Sequence, residues 1–403
     1  MDNAVFTVCA KNYLAQALSL RESTRKYNDA DFYIFLADDR LGLTIPDVVD
    51  LDDEWIPNWK SMAFKYDVIE FNTSIKPFCI KKLFSMGYKK VIYLDPDIYV
   101  YSSLAYVYNL LDEYSVVLTP HRCEMLLNQV GFISEEMCLE VGIYNLGFIA
   151  VKNSSVGLSI MDWWCKRLKD RCYVEKNDSL FVDQKWMNFI PGFFPNDIFL
   201  SHHLGMNVAM WNLQEREIVS KDNEYYIINR NNPLDSYPLL FFHFSGYSPL
   251  WPERLDKRNE VLTTITNPEL EPLIKEYCAC ELRNHFMEYH KMEYSYSVYS
   301  NNEQILPLHR RLYGSCLQEF GEGIDPFDVS NSVYKSLRKK GLISHELLKQ
   351  TKENIKKDYS KEEKKLKCFL RFFLKLFGAK RYTNLIKACN KVGVMSYHSF
   401  LME

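Results

Sequence analysis

For roughly its first 270 residues the chain alternates two hydrophobic rhythms. Short apolar runs, "AVFTVC", "DFYIFLADD", "KVIYLDPD", "YSVVLTP", "YNLGFIAVK" and "PLLFFHFSG", have the length and the β-branched and aromatic content of buried strands. Between several of them lie stretches whose apolar positions recur at helical spacing. "YLAQALSLRESTRKY" places Leu14, Ala17 and Leu18 on one face, "KPFCIKKLFSMG" ends at Gly87 as its C-cap, and "VGLSIMDWWCKRLKD" contributes Trp163 and Trp164 as expected core anchors. Strands alternating with helices predict an α/β domain over 1–270. No internal repeat is visible.

Beyond residue 270 the rhythm changes. "NPELEPLIKEYCACELRNHFMEYHKMEY" reads as helix, and the stretch to 345 mixes short helices with turns, predicting a helical subdomain over 271–345. Residues 346–403 form a third region, a basic helical tail. In "KEEKKLKCFLRFFLKLFGAKR", Leu366, Phe369, Leu370, Phe373, Leu374 and Phe377 share one helical face, and Lys364, Lys367, Arg371 and Lys375 share the opposite one. Lys361 to Arg381 holds eight basic and two acidic residues, a net of +6. Such a helix reads as an anchor on an anionic membrane surface, with an ordinary packing helix as the alternative.

Composition narrows the function classes. The chain has 403 residues and a net charge of -3, so no global basic field draws it to nucleic acid. Its 11 cysteines lack the paired spacing of a disulfide framework or zinc knuckle, and Cys278, Cys280 and His285 read as half-buried groups on a helix. The start "MDNAVFTVCAKNYL" has no positive leader and apolar core, and the longest apolar run, "PLLFFHF", falls short of the ~20 residues that span a bilayer. The expectation is a cytoplasmic protein, peripheral on the inner face of the cell membrane.

The chemistry begins at "KKVIYLDPDIYV". Residues i and i+2 of a strand point to the same side, so Asp95 and Asp97 can aim at one point, and Pro96 between them ends regular strand pairing. Both carboxylates then stand at the carboxyl edge of the sheet, where open α/β folds bind ligands. Two carboxylates so close repel unless a cation joins them. Oxygen ligation favours Mn²⁺ or Mg²⁺, whose shell substrate phosphates commonly complete. Solvated charges capping a strand are the plainer alternative. A haloacid dehalogenase-like phosphatase, with Asp95 as nucleophile, is another. It fits less well, because Asp38 and Asp39 precede the motif and Tyr99 stands where a small residue belongs.

Seven segments in register, "FTVCAKNYL", "NTSIKPF", "YLDPDIYV", "YNLGFIAVK", "FVDQKWMN", "MNVAMWN" and "FFHFSGY", resemble glycosyltransferase family eight and related bacterial polysaccharide glycosyltransferases over residues 4 to 260. The resemblance implies a GT-A, Rossmann-like nucleotide-sugar transferase domain with a C-terminal helical extension. It implies Mn²⁺ (or Mg²⁺) held by Asp95, Asp97 and His243. Ala10 and Tyr13 would line the nucleobase pocket, with Asp95 also near the ribose and Lys76 reaching toward the donor. Gly246 would admit the diphosphate, Asn145 and Asp183 would hold sugar hydroxyls, and Gln184 would face the anomeric carbon. The family's late Lys-Pro-Trp is absent here. "HFSGYSPLWPER" replaces it, leaving the diphosphate's cation to Arg254, Lys257 or the metal. The implied function is a retaining transfer of sugar from a UDP-sugar to a glycan or polyprenyl-linked acceptor in bacterial surface-polysaccharide assembly, with Gln184 at the reacting face; Asp183 as a catalytic base would make it an inverting transfer instead. A membrane-bound scaffold that keeps the fold without the chemistry is the non-enzyme alternative.

Overall fold

The computed structural model describes residues 2–125, 133–222, 224–257, 259–320, 323–343 and 360–402; the start of the expected tail, 346–359, lies outside them. The chain divides into two compact units, Met1–Trp59 with Val68–Ser295, and Lys60–Asp67 with Tyr296–Glu403.

The first unit is α/β. Its strands begin with β1 (Asn3–Cys9), β2 (Asp31–Leu36), β3 (Val48–Asp50), β4 (Lys90–Leu94), β5 (Ile98–Val100), β6 (Val116–Leu118) and β7 (Phe148–Lys152). A seven-stranded sheet runs in the order Ile198–Leu200, β6, β7, β4, β1, β2, β3. Its pairs are parallel except that β7 runs antiparallel to both β4 and β6. β1 and β4 read as unbroken apolar runs because both faces of the sheet are covered. The helix Leu14–Tyr27 buries Leu14, Ala17 and Leu18, as their spacing predicts, in a core with Val5, Ile34, Ile92 and Phe148. Each such aliphatic side chain removed from water contributes about 1.5–3 kcal/mol. Trp164 of the helix Ser155–Leu168 is a core anchor as expected, but Trp163 is not. One position further round the helix, Trp163 faces outward and is only half-buried.

The end of β4 positions the site. Asp95 N donates to the Gly147 carbonyl at 2.8 Å and Ile98 N returns to the Asp95 carbonyl at 3.0 Å, so the chain turns tightly around Pro96. It re-emerges as β5, which leaves the large sheet and pairs antiparallel with Phe241–His243, setting His243 opposite Ile98. Pairing between segments about 145 residues apart thus carries the imidazole to the two aspartates. The first unit also extends past residue 270. The helix Glu271–Arg283 buries Leu273, Ile274 and Tyr277 in one cluster with Tyr99 and Phe244, and this packing ties the segment to the sheet.

In the second unit, Phe64, Tyr299, Leu312, Tyr313, Val333 and Leu337 form a separate core. Buried Arg310 donates to the carbonyls of Ala63, Phe64 and Tyr66 at 3.0, 2.8 and 2.7 Å, satisfying the otherwise orphaned end of the helix Trp59–Lys65. The tail helix Ser360–Val392 is broken at Gly378, where φ is +74°. Phe369, Phe373 and Phe377 align along it, with ring centroids 6.1 and 4.6 Å apart. Leu366, Phe369, Phe372 and Phe377 are exposed. Among the described residues no helix is long and apolar enough to cross a membrane.

Candidate metal centre

Asp95, Asp97 and His243 each offer one ligand atom, and the three atoms lie within 4.8 Å of one another. His243 Nε2 is 3.1 Å from Asp97 Oδ1 and 3.7 Å from Asp95 Oδ2. Burial alone would disfavour a charged His243, but Asp97 and then Asp95 outweigh it and raise its pKa above the usual imidazole value. The field that attracts a proton here would equally attract a cation.

The imidazole is oriented from behind. His243 Nδ1 lies 3.2 Å from Asn207 Oδ1, so Nδ1 carries a hydrogen and Nε2 faces the aspartates, where a proton or a cation can bind it. Asn207 Nδ2 donates to Thr119 Oγ1 at 3.1 Å and to Asn145 Oδ1 at 3.0 Å. Asn145 Nδ2 donates in turn to His121 Nε2 at 3.2 Å, and His121 Nδ1 donates to the Ile143 carbonyl at 3.1 Å. Burial lowers the His121 pKa to about 4, so its ring is neutral, as accepting that bond requires. Asn207 sits at φ +51°, a left-handed conformation that asparagine tolerates better than most side chains. Every donor in this chain has a fixed direction, which is how an outer layer of hydrogen bonds fixes a metal-binding histidine. Gly147 makes room for it, since a Cβ there would stand 2.5 Å from His243 Cε1 and 2.7 Å from Nδ1.

Lys76 stands on the other flank. Its Nζ donates to the Leu146 carbonyl at 2.9 Å, lies 2.9 Å from Asp183 Oδ2 and 3.4 Å from Asp95 Oδ1, and covers the Tyr93 ring at 4.3 Å. The Tyr93 hydroxyl donates to Asp95. Burial works against the Lys76 charge, but Asp183 and Asp95 prevail and hold the ammonium above its usual pKa. For Asp183 burial prevails over Lys76, and the carboxyl is pushed up to about 6. Asp183 Oδ2 faces the Lys76 ammonium and no amide or hydroxyl donor. A buried carboxylate oxygen answered by one cation alone has a lone pair that suits a ligand hydroxyl.

The remaining expected residues have these surroundings. Gln184 Oε1 accepts from Leu146 N at 3.2 Å and its Nε2 donates to the Val141 carbonyl at 3.0 Å, which leaves one N–H uncommitted; Asn145 likewise keeps one. Ala10 and Tyr13 flank Lys11 at the turn after β1, where buried Lys11 pairs with Asp38 at 2.7 Å. Gly246 has φ +82°. Lys257 N donates to the Gly246 carbonyl at 2.9 Å, so the residues that replace the missing Lys-Pro-Trp bring an exposed lysine back to this turn, whereas Arg254 lies 3.9 Å from Glu253. Asn207, His121 and Thr119 were not foreseen. "MNVAMWN" marked the segment, but no spacing rule says that its first asparagine would meet a histidine 36 residues on.

No family model matches the chain. It is 25% identical over 261 residues to the uncharacterized protein YfnF of Bacillus subtilis (strain 168), covering 61% of this chain and 82% of that one. Among solved structures it is similar to the galactosyltransferase LgtC in complex with donor and acceptor sugar analogs, at 15% identity and a TM-score of 0.38, over 68% of this chain and 95% of that one. It is also similar to the glycosyltransferase GlyE of Streptococcus pneumoniae TIGR4, at 15% identity and a TM-score of 0.36, over 74% of this chain and 67% of that one. Both of these neighbours are glycosyltransferases. The likeness to them is partial, and the chemistry argued for this chain stands on its own side chains.

The donor set fits a hard divalent cation. Two carboxylates converge with an imidazole nitrogen whose opposite N–H is already committed, and all three lie at the lip of a sheet.

Proposed function

We propose that the protein is a metal-dependent glycosyltransferase that moves a sugar, with retention of anomeric configuration, from a UDP-sugar to a glycan or polyprenyl-linked acceptor in bacterial surface-polysaccharide assembly. The observation that carries the reading is the meeting of Asp95, Asp97 and His243 beside the Lys76–Asp183 pair. Mn²⁺ or Mg²⁺, held by the first three residues, would supply positive charge where the departing diphosphate gathers negative charge. Lys76 sets the carboxylates of Asp95 and Asp183 on either side of its ammonium. Asp183 Oδ2 and the spare N–H groups of Asn145 and Gln184 would hold the transferred sugar's hydroxyls.

Gly246 would let backbone approach the diphosphate, with Lys257 as the added cation, and Ala10 and Tyr13 would receive the base. An inverting enzyme needs a reachable carboxylate base in line with the acceptor hydroxyl. Asp183 is buried and charge-paired, which supports retention with Gln184 at the reacting face. The cationic ridge and exposed phenylalanines of the tail support contact with an anionic membrane surface at the inner face of the cell membrane. A thermal-shift panel of nucleotide sugars with and without Mn²⁺ tests the reading. Stabilisation by a UDP-sugar that needs Mn²⁺ is the expected result, and indifference to every nucleotide and metal would refute it.

A further inference from the structure

Trp163 and Trp164 are adjacent in the helix Ser155–Leu168 and turn in different directions. Trp164 is buried and donates its Nε1 hydrogen to the Asp183 carbonyl at 3.2 Å, bracing the candidate donor site. Trp163 faces out, and the segment that follows Gln184 lays Trp186, Phe189 and Phe193 beside it. The Trp163 ring lies 6.0 Å from Trp186 and 6.1 Å from Phe193, and Phe189 and Phe193 stack at 5.6 Å with planes 17° apart. Phe189 and Phe193 are 52% and 55% exposed, so this is no core. The rings line an open groove of about 370 Å³ together with Arg167 and Arg171.

The polar groups of this groove are arranged asymmetrically. The Trp186 N–H is tied back to the Arg171 carbonyl at 3.2 Å, so that ring offers only its faces. The Arg167 guanidinium lies 5.7 and 5.9 Å from the Trp163 and Trp186 rings, and among the described residues neither arginine forms an ion pair. The nearby carboxylate of Asp162 is taken by Lys81 at 2.5 Å. Flat apolar faces rimmed by unpaired guanidiniums complement a ligand with one apolar face, hydroxyl edges and a carboxylate. A uronic-acid saccharide has all three. Trp186 follows Gln184 by two residues, which makes the groove continuous in chain with the candidate reacting face.

We propose that this aromatic groove binds an acidic saccharide unit of the acceptor glycan, its C–H face on the rings and its carboxylate on Arg167 and Arg171. The assignment rests on the transferase reading for the word acceptor, and its test is separable from that reading. Full-length protein is titrated with tetragalacturonate and with neutral maltotetraose, followed by tryptophan fluorescence and saturation-transfer NMR. UDP binding with Mn²⁺ and the melting temperature are measured in parallel. Wild type should bind the acidic tetrasaccharide at least about tenfold more tightly than the neutral one, more weakly as salt rises. Arg167→Gln with Arg171→Gln should erase that preference. Phe189→Ser with Phe193→Ser should weaken both saccharides by roughly tenfold or more, the loss expected of central aromatic anchors. Neither pair should change UDP binding.

Equal binding of the two saccharides, no binding of either, or binding that ignores both double variants overturns the proposal. So does a wild-type dimer that the Phe pair dissolves, because the rings would then be a contact between copies. If the Phe pair fails to fold, the exposed Arg pair decides alone. If tetragalacturonate behaves as expected but UDP with Mn²⁺ does not bind wild type, the groove stands and the transferase reading falls.

Discussion

The first unit holds two buried lysine–aspartate pairs, and they differ in completeness. Lys11 donates to Asp38 at 2.7 Å and to Ser295 Oγ at 2.5 Å, while Asp38 also accepts the backbone N–H groups of Lys11, Asp39 and Ser295. The Asp38 carboxylate there is answered by the ammonium and by three backbone N–H groups. Lys76 is instead shared between Asp183 and Asp95, and Asp183 Oδ2 is answered by the Lys76 ammonium alone, with no amide or hydroxyl donor beside it. A saturated pair joins segments of chain. A lysine shared by two acids, one of them beside a second carboxylate and an oriented imidazole, marks a candidate ligand site.

The comparison breaks most visibly under mutation. Asp38→Ala strands the Lys11 charge in the interior and should cost about 3–5 kcal/mol of stability. Asp183→Asn leaves the Lys76 ammonium its contacts with Asp95 and the Leu146 carbonyl and removes a carboxylate that burial disfavours, so it should cost less, about 1–2 kcal/mol, while impairing transfer. Urea titrations of both variants decide this, and equal losses would erase the distinction between the pairs.

The pH profile sharpens the same contrast. In the folded protein the Asp183 carboxyl titrates at about 6, whereas in the unfolded chain it does so near ~4. The folded state therefore holds the extra proton between these values. The stability this contributes is full below the unfolded value and is lost as pH rises through the folded one. In chelator, wild type should lose on the order of 2 kcal/mol relative to Asp183→Asn between these limits. Parallel profiles for the two proteins would contradict the assignment.

A smaller effect is expected behind the metal. Asn207→Ala releases His243 Nδ1, and Mn²⁺ affinity should fall roughly 10–100-fold with the aspartates intact. Calorimetry with Mn²⁺ alone reads this directly, and unchanged affinity would mean that Asn207 only fills space. The smallest effect on turnover belongs to the tail. Replacing Phe369, Phe373 and Phe377 by Ser should leave transfer to a soluble acceptor intact but release the protein from vesicles containing anionic lipid. Retention on vesicles, or unfolding, would show the helix to be a packing element.

The strands and the two aspartates of the candidate metal centre were legible in the sequence because each left a local mark. β1, β4 and β7 are unbroken apolar runs, and Asp95, Pro96 and Asp97 interrupt one of them where no buried strand should carry charge. His243 was legible only through the ordered motifs, since its approach to Asp97 depends on β5 pairing with a strand far along the chain. The Asn207, Asn145 and His121 relay left no mark, because single amides at irregular intervals look like loop residues until the fold closes around them. The outward turn of Trp163 was hidden for a related reason. Two adjacent tryptophans on a helix both read as core, and only the ring contacts of the segment after Gln184 distinguish them.

The central claim is that Asp95, Asp97 and His243 hold a cation for a nucleotide diphosphate. Isothermal titration of UDP into wild type and into Asp97→Ala, each with Mn²⁺ and with chelator, tests it most directly. The account predicts binding by wild type with Mn²⁺, weakened about a hundredfold or more by chelator or by the substitution. The metal-free melting temperature should be nearly unchanged in the variant. UDP binding of equal strength in all four titrations would contradict it.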